Sequence, residues 1–510
     1  MSSHTDIVDL LVVGGGINGA GVACDAAGRG LSVVLCEQGD LAGATSSASS
    51  KLVHGGLRYL EHYEFRLVRE SLAERSALLN KAPHIVRPKR FVLPLGPGMR
   101  PAWMVAAGLF LYDHLSARDS RLPNSQRLDL HGAPEGAALS SGARVGFAYS
   151  DCTMDDARLV VLNALAAAEN GARILTRTAF VSARREEGVW RATLRDSVSG
   201  GEETVYARAI VNAAGPWVSS VIDAVHEGQT HRDVRLVKGS HIVVPRLYDG
   251  DQAYILQNDD GRVVFVIPYQ GDFTLIGTTE HDLDAPPPLD GQGFGASAEE
   301  TDYLCHAVNR YFKTHIAPAD VVWAYAGVRP LFAHEAASAT SVTREYVLDV
   351  QSRDGAAPLV SVFGGKLTTY RRLAEKVLER LKPFVTHMGA PWTLHAPLPG
   401  GDLPNGGMDA LLLQLHRDYP WADDALLSGL MARHGTRAAR VLGDAAEPTD
   451  LGQDFGHGLT ACEVDYLMTV EWARSGDDVL WRRTKLGLRF DTAQRAALEA
   501  YVTSASACLK

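Results

Sequence analysis

Three features common in other classes of protein are missing from this sequence of 510 residues. Its six cysteines are scattered and form no CxxC pair, which argues against a disulfide framework, a zinc site and a dithiol redox centre. It contains no apolar run of about 18 residues, the length that a transmembrane helix requires. Its net charge of -10 gives no excess of basic residues, so nucleic acid is not an expected partner.

The N-terminus also lacks a targeting signal, because MSSHTDIVDLL has no basic region ahead of an apolar stretch. We therefore expect a cytoplasmic protein with reduced thiols and without a metal site. The remaining composition, 46% hydrophobic and 22% charged, is ordinary for globular proteins. A chain of this length is expected to form two or three domains.

The strongest pattern in the chain lies between Ile7 and Glu37. An apolar run, Ile7–Val13, meets three glycines; a helix of small residues follows, and a second apolar run leads to the acid. This order of strand, glycine turn, helix, strand and acid is typical of dinucleotide-binding units. The pattern does not separate FAD from NAD, although the acid disfavours the extra phosphate of NADP.

Each part of this unit has a physical role in holding a dinucleotide. We expect Gly14 to permit the tight turn, Gly16 to let a pyrophosphate approach the backbone, and Gly19 to let the helix pack closely on the sheet. The helix N-terminus then offers free N–H groups and a partial positive charge to the pyrophosphate. Glu37 is expected to accept hydrogen bonds from the ribose hydroxyls.

Further segments rich in glycine or hydroxyl groups are predicted to contact the same cofactor. A hydroxyl-rich loop, residues 38–51, follows the ribose-binding acid, and three glycine-containing segments lie near residues 54, 214 and 364. Hydroxyls, backbone N–H groups and helix N-termini suit phosphates and ring edges. The cofactor-binding residues expected from these segments are Asn18, Thr45, Ser46, Ser47, Ser50, Lys51, His54, Gly55, Gly56, Ala214, Gly215, Trp217, Gly364, Gly365, Lys366, Leu367 and Thr368.

The rest of the chain alternates between helical and strand-like patterns. Apolar periodicity and acidic caps predict helices over Phe65–Asn80, Asp155–Asn170 and Tyr370–Leu381. Residues 234–280 are rich in short strand patterns, and residues 408–510 have a mainly helical pattern after a proline- and glycine-rich linker. No internal repeat is found.

Several of these segments together resemble one family closely. They read GGGINGAG, TSSASSKLVHGGLRYLEHYEFRLV, NAAGPW, KGSHIVVP, GVRP and FGGKLTTYR. This combination resembles the FAD-dependent, quinone-linked glycerol-3-phosphate dehydrogenases of bacteria. The resemblance covers residues 6–385, with a weaker similarity in RRTKLGL at residues 482–488.

The resemblance implies an α/β fold with three parts. A Rossmann-like, discontinuous FAD-binding domain is expected from residues 1–85, 143–233 and 322–390. A β-rich substrate-binding domain is expected from residues 86–142 and 234–321. Residues 391–510 are expected to form a helical C-terminal domain.

The resemblance also implies an activity in glycerol metabolism. A flavoprotein of this family oxidises sn-glycerol 3-phosphate to dihydroxyacetone phosphate, with hydride passing from C2 to flavin N5. Electrons then pass to a membrane quinone. We therefore expect a protein bound peripherally to the inner face of the cytoplasmic membrane, and a homodimer is a possible assembly.

Arginine is well shaped to bind the phosphate of such a substrate. Carried over residue by residue, the resemblance predicts a substrate site made of Arg58, Tyr59, Arg329, Arg344 and Lys366. The proton acceptor is left open between two histidines, since histidine is the usual base near neutral pH. The predicted catalytic residues are therefore His54, His241, Arg58 and Arg329, where an arginine could also stabilise an alkoxide.

Other functions remain open at this point. An oxidase that passes electrons to oxygen, or another FAD-dependent oxidoreductase of the same fold, would share the flavin motifs. A pyridine-nucleotide-dependent reductase would need a second GxGxxG after a strand, whereas the glycines at 291–295 lie in a loop pattern. A nucleotide-binding regulator would not explain the basic residues near predicted strand ends.

Two stretches are candidates for contact with a membrane surface. The first is Trp103–Tyr112, which is apolar and follows Lys89, Arg90 and Arg100. The second is Trp481–Phe490, which mixes four basic residues with apolar ones. Apolar side chains can enter the interface while basic ones meet anionic headgroups.

Overall fold

The computed structural model describes residues 7–96, 99–117, 119–140, 142–225, 234–288, 293–332, 346–352 and 355–508. Its strands are, in chain order, β1 (Ile7–Val13), β2 (Val33–Cys36), β3 (Leu52–Val53), β4 (Val86–Leu95), β5 (Gln126–Asp129), β6 (Val145–Met154), β7 (Arg173–Leu175), β8 (Thr178–Glu186), β9 (Val189–Asp196), β10 (Glu202–Asn212), β11 (Val234–Pro245), β12 (Ala253–Gln257), β13 (Val263–Tyr269), β14 (Phe273–Gly277), β15 (His281–Leu283), β16 (Trp323–Phe332), β17 (Val347–Gln351), β18 (Leu359–Phe363), β19 (Asp454–Gly456) and β20 (Leu459–Thr460).

The α-helices follow the same order along the chain. They are α1 (Ile17–Gly28), α2 (Phe65–Lys81), α3 (Ala102–His114), α4 (Asp156–Glu169), α5 (Val218–Asp223), α6 (Ala298–Asn309), α7 (Tyr370–Leu381), α8 (Gly407–Asp418), α9 (Asp424–His434), α10 (Ala438–Leu442), α11 (Ala461–Thr469) and α12 (Thr492–Cys508). No helix within these described residues is both long and apolar enough to cross a bilayer.

The first sheet forms the dinucleotide-binding part of the molecule. Its strand order is β17-β18-β10-β1-β2-β7, and β8 and β9 extend it through an antiparallel pairing with the first half of β10. From β18 to β7 the strands run parallel. Their carboxyl ends therefore meet at one edge of the sheet, where ligands bind in such folds.

Helices α1, α4 and α7 cover one face of this sheet and form its largest apolar core. Small residues let α1 lie close to both neighbours. A Cβ at Gly21 would come within 2.6 Å of the Tyr370 ring, so the absence of a side chain is what permits this approach. Asp155 caps α4, because its Oδ1 accepts from the N–H of Arg158 at 3.0 Å.

The second sheet is mainly antiparallel and lies against the first. Its strand order is β15-β11-β14-β13-β12-β4-β6-β3, with β16 paired to β11 and β5 paired to β6. Two apolar clusters pack on this sheet, one of which includes helix α6 and the other helix α3. The C-terminal helices α8 to α12 form a separate apolar core.

The sheet pairings change two of the expected domain boundaries. Residues 143–154 and 322–332 were expected in the FAD-binding domain, yet β6 pairs along its length with β4, and β16 pairs with β11. Both strands therefore belong to the second sheet. Local sequence could not indicate this, because the pairing partners lie 50 or more residues away. The short strand β3, also expected in the FAD-binding domain, pairs with β6 in the second sheet as well. The division into three domains stays a proposal, with these three strands moved.

The C-terminal region departs from a purely helical pattern. It contains the hairpin β19–β20 and a π-helical turn, Asp478–Arg483. The expected membrane contact at Trp481–Phe490 is wrong in this structure. Arg483 and Lys485 are buried in ion pairs inside the protein, so their charges are not available to lipid headgroups.

Candidate active site

One cavity of about 1250 Å³ lies between the two sheets at the carboxyl edge of the first. It is larger than the roughly 300–1,000 Å³ typical of small-ligand sites. The predicted residues that line it are Gly14, Gly16, Asn18, Glu37, Thr45, Ser46, Ser47, Ser50, His54, Tyr59, Ala214, Gly215, Trp217, His241, Arg329, Gly364, Gly365, Lys366, Leu367 and Thr368. The parallel strands explain this convergence, since the segments after β1, β2, β10 and β18 all begin at the same edge.

The glycine turn after β1 has the geometry that a dinucleotide needs. Gly14 adopts φ +111°, a conformation that side chains rarely allow. A Cβ at Gly16 would meet only the hydroxyl of Ser46, at 3.1 Å, so this backbone is open to the cavity. A Cβ at Gly19 would lie 1.9 Å from the carbonyl oxygen of Gly14, which fixes close contact between helix and strand.

The acid after β2 is held by the backbone. Glu37 accepts from the N–H of Gly15 at 2.6 Å and from the N–H of Gly39 at 2.8 Å. Burial raises the pKa of this carboxyl, and the two backbone hydrogen bonds oppose that rise. Each carboxylate oxygen still has acceptor capacity for a ribose hydroxyl.

Four predicted cofactor-binding residues do not line the cavity. Gly19 packs against the turn, as described above. Lys51 ends the hydroxyl-rich loop, and its Nζ is 2.8 Å from Asp156. Gly55 and Gly56 leave room for neighbouring side chains rather than for a cofactor. A Cβ at Gly55 would meet Leu72 and Tyr112, and one at Gly56 would meet Tyr59.

Two of the predicted cationic side chains, Lys366 and Arg329, lie in the part of the chain that the structure describes. The Nζ of Lys366 is buried, has no hydrogen-bond partner among the described residues, and lies 4.1 Å from the centre of the Tyr59 ring. Arg329 lines the same cavity and pairs with Glu280 at 3.2 Å. Arg344 and the side chain of Arg58 lie outside the described part of the chain.

The two candidate histidines differ in their surroundings. His241 on β11 is 3% exposed, its Nε2 lies 2.8 Å from the hydroxyl of Ser50, and its ring stacks on Tyr325. Burial, followed by the positive charges of Lys51 and Arg329, lowers the pKa of His241 to about 3. His54 lines the cavity and is only partly buried.

Several lining residues were not predicted from the sequence. Arg177 follows β7, Trp323 and Tyr325 lie on β16, and Trp481 and Arg482 come from the C-terminal domain. The similarity in RRTKLGL was the one signal near the last pair. No sequence pattern indicated that this segment reaches the cofactor cavity, because the contact joins residues more than 400 positions apart.

Comparisons with known proteins agree with this geometry. Residues 9–370 match the family described as FAD dependent oxidoreductase, and residues 392–510 match the C-terminal domain of alpha-glycerophosphate oxidase. The chain therefore belongs to the FAD-dependent oxidoreductase family. That membership confirms the predicted enzyme class and the FAD cofactor.

Full-length relatives and a solved structure make the comparison more specific. A glycerol-3-phosphate dehydrogenase of Pseudomonas aeruginosa is 53% identical, over 98% of this chain and 96% of the relative. A D-erythritol 1-phosphate dehydrogenase of Brucella abortus is 51% identical, over 99% of both chains. The glycerol-3-phosphate dehydrogenase of Bacillus halodurans complexed with FAD is 26% identical, with a TM-score of 0.76 over 99% of this chain and 91% of that one. The expected α/β fold is thereby confirmed.

The residues present fit FAD. The cavity has the necessary volume, the glycine turn leaves the backbone at Gly16 open, and the buried Oδ1 of Asn18 has no hydrogen-bond partner among the described residues. Asn18 also donates to the carbonyl oxygen of Gly364 at 3.0 Å, which ties the two glycine segments together. The turn, Asn18 and Glu37 would hold the dinucleotide, and FAD would supply a hydride acceptor.

Replacement of Gly16 by valine tests the pyrophosphate position. The new side chain would project into the cavity where the cofactor phosphates must approach the backbone. We expect Gly16→Val to be purified without bound flavin, as measured by visible absorbance. Gly132→Val is the control, since a side chain at Gly132 meets open space. Full flavin occupancy in Gly16→Val would contradict the assignment.

The buried state of His241 predicts a pH dependence of stability. The unfolded chain binds a proton at this residue below about pH 6.5, whereas the folded protein does not until near pH 3, so the free energy of unfolding falls as the pH falls from 6.5. His241→Asn should remove a part of this slope that rises from about 0.7 kcal/mol per pH unit at pH 6.5 to about 1.3 at pH 5 in urea unfolding, as the unfolded histidine becomes protonated. The control is His281→Asn, which replaces an exposed histidine outside the cavity. An unchanged slope in His241→Asn would show that His241 is protonated in the folded protein.

Proposed function

We propose that this flavoprotein oxidises sn-glycerol 3-phosphate to dihydroxyacetone phosphate. The observation that carries the proposal is the buried Nζ of Lys366, which has no hydrogen-bond partner among the described residues. A buried cation is costly unless an anion accompanies it, and Arg329 lines the same cavity. The phosphate of the substrate would supply that anion. The names of the full-length relatives support this substrate class.

Different side chains around the cavity would bind the phosphate, accept the proton and stabilise the developing charge. Lys366 and Arg329 hold the phosphate and so orient the C2 hydroxyl group. FAD, when bound, accepts the hydride from C2. We favour His54 as acceptor of the hydroxyl proton, because His241 is almost fully buried and already lies within hydrogen-bond distance of Ser50. Arg329 would also stabilise negative charge that develops on the alcohol oxygen.

A second candidate substrate follows from the relative named D-erythritol 1-phosphate dehydrogenase. Both compounds are polyol phosphates with a secondary alcohol, and the same two cations would bind either phosphate. Turnover with each compound, with a quinone-like dye as acceptor, separates the two candidates. A larger kcat/KM for glycerol 3-phosphate supports the proposal. A larger kcat/KM for erythritol 1-phosphate would instead identify that compound as the substrate.

The acceptor is proposed to be a membrane quinone, with oxygen as the alternative. Support comes from an apolar surface on α3, where Trp103, Phe110 and Leu111 are 70%, 61% and 44% exposed. Such clustered apolar exposure is unusual on a soluble surface and suits the bilayer interface. Oxygen consumption well below dye reduction would support quinone use. A homodimer and a position at the inner face of the cytoplasmic membrane remain predictions.

Replacement of Arg329 tests the phosphate site. Loss of a charge-assisted contact costs on the order of 2–5 kcal/mol if its partner stays buried, so Arg329→Ala should raise the KM for glycerol 3-phosphate at least tenfold. The flavin spectrum should not change. Arg235→Ala is the matched control, because Arg235 lies on the same sheet but pairs with the exposed Asp282. A KM within twofold of wild type would exclude Arg329 from the site.

Helix α3 yields a membrane-binding test. Leu109 and Tyr112 on its inner face are buried, so only the exposed residues should be changed. The triple variant Trp103→Ser, Phe110→Ser and Leu111→Ser should bind anionic liposomes at least tenfold more weakly in a sedimentation assay, and its activity with a soluble dye should persist. Leu413→Ser, which removes a 66% exposed leucine from the C-terminal domain, is the control. Undiminished binding by the triple variant would exclude α3.

A further inference from the structure

A short segment of the C-terminal domain, residues 481–485, contacts the hydroxyl-rich loop of the FAD site. This loop, Gln38–Lys51, begins after the ribose-binding Glu37 and is called the cofactor loop below. The segment follows the first residues of the π-helical turn and carries three basic side chains. Arg483 and Lys485 point into the protein, toward carboxylates at or beside the two ends of the cofactor loop. In a segment that faced a membrane these charges would point outward.

The first contact is made to Asp40, close to the start of the cofactor loop. Arg483 donates to both carboxylate oxygens of Asp40, each at 2.9 Å, in the forked arrangement that suits arginine. Arg482 donates to the same carboxylate through Nε at 2.5 Å. Asp40 and Arg483 are both buried, so removal of Asp40 leaves the Arg483 charge without a carboxylate at this contact, and removal of Arg483 leaves Asp40 with Arg482 and the more distant Arg177.

Arg483 is itself fixed by the C-terminal domain. Its Nη2 donates to the carbonyl oxygen of Glu471 at 2.7 Å, and the carboxylate of Glu471 pairs with Arg158 on α4. Arg482 also pairs with Asp478 within the π-helical turn. Both guanidinium groups are therefore held by residues of the C-terminal domain as well as by the cofactor loop.

The second contact is made at the start of α4, beside the end of the cofactor loop. The Nζ of Lys485 lies 3.4 Å from Asp155 and 3.7 Å from Asp156. Asp156 in turn accepts from Lys51 and from the hydroxyl of Ser49, both at 2.8 Å. Lys485 thus shares its carboxylate partner with the residues that end the loop.

An aromatic contact joins the segment to the second sheet between these ends. The ring of Trp481 stacks on Trp323 with centroids 4.5 Å apart, and both residues line the cofactor cavity. Stacked rings at this separation add stability beyond the area they bury. The segment therefore contacts the cofactor loop directly at Asp40, is joined to the end of the loop through Asp156, and contacts the cavity wall through Trp323.

We infer that residues 481–485 of the C-terminal domain hold the cofactor loop in its FAD-binding conformation, so that Arg483 and Lys485 are positioning residues for the flavin. The inference depends on FAD as the cofactor and not on the identity of the substrate. Without the segment, Asp40 would lose Arg482 and Arg483, and Asp156, which keeps Lys51, would lose Lys485, so the loop would be held less firmly at both ends. Retention of FAD would fall although no residue of the glycine turn had changed.

The test measures release of FAD from the holoenzyme. Wild type, Arg483→Met, Lys485→Met and Asp40→Asn are dialysed separately, and the dissociation constant for FAD is obtained from the free flavin fluorescence. Each variant should raise this constant at least tenfold. The double variant Asp40→Asn with Arg483→Met should bind FAD no more weakly than the weaker-binding single variant, because both changes break the contact between Asp40 and Arg483.

The matched control is Arg433→Met, which breaks the ion pair between the partly buried Arg433 and the buried Glu463 inside the same domain. It should lower the melting temperature as Arg483→Met does and change the FAD dissociation constant less than twofold. If Arg483→Met fails to fold, Lys485→Met and Asp40→Asn decide the outcome by the same measurement. Constants within twofold of wild type, or additive effects in the double variant, would overturn the inference.

Discussion

The buried ion pair between Lys51 and Asp156 lies where the three parts of the molecule meet. Lys51 ends the loop that follows the ribose-binding acid, and it adopts φ 57°, a conformation that non-glycine residues rarely take. Its Nζ reaches the carboxylate at the start of α4, lies 5.1 Å from the centre of the Tyr325 ring on the second sheet, and shares Asp156 with Lys485. Because a buried charge needs its partner, this pair sets the position of the hydroxyl groups that line the cavity.

Sequence patterns predicted local elements well and the assembly of sheets less well. The helix Tyr370–Leu381 has the predicted bounds, since a glycine-rich turn precedes it and its apolar residues follow the helical period. The strands Val145–Met154 and Trp323–Phe332 were expected in the FAD-binding domain, whereas both belong to the second sheet. Sheet membership depends on partners far away in the sequence, which local periodicity does not encode.

The same limit applies to the candidate site. Motifs predicted the cavity glycines, Glu37 and Lys366, because each follows a strand of the first sheet that ends at the same edge. The motif that predicted Arg329 instead lies within β16 of the second sheet. They did not distinguish a glycine that faces a cofactor from Gly55, which leaves room for Tyr112. They also gave no indication that Arg483 pairs inside the protein, since a basic residue looks the same in sequence whether lipid or a buried carboxylate is its partner.

We propose that a polyol phosphate held by Lys366 and Arg329 reduces the bound FAD. Anaerobic titration of the holoenzyme with sn-glycerol 3-phosphate, followed by visible flavin absorbance, tests it without any added acceptor. We expect the oxidised flavin band to disappear with one equivalent of dihydroxyacetone phosphate formed per flavin. An unchanged flavin spectrum in the presence of excess substrate would contradict the claim.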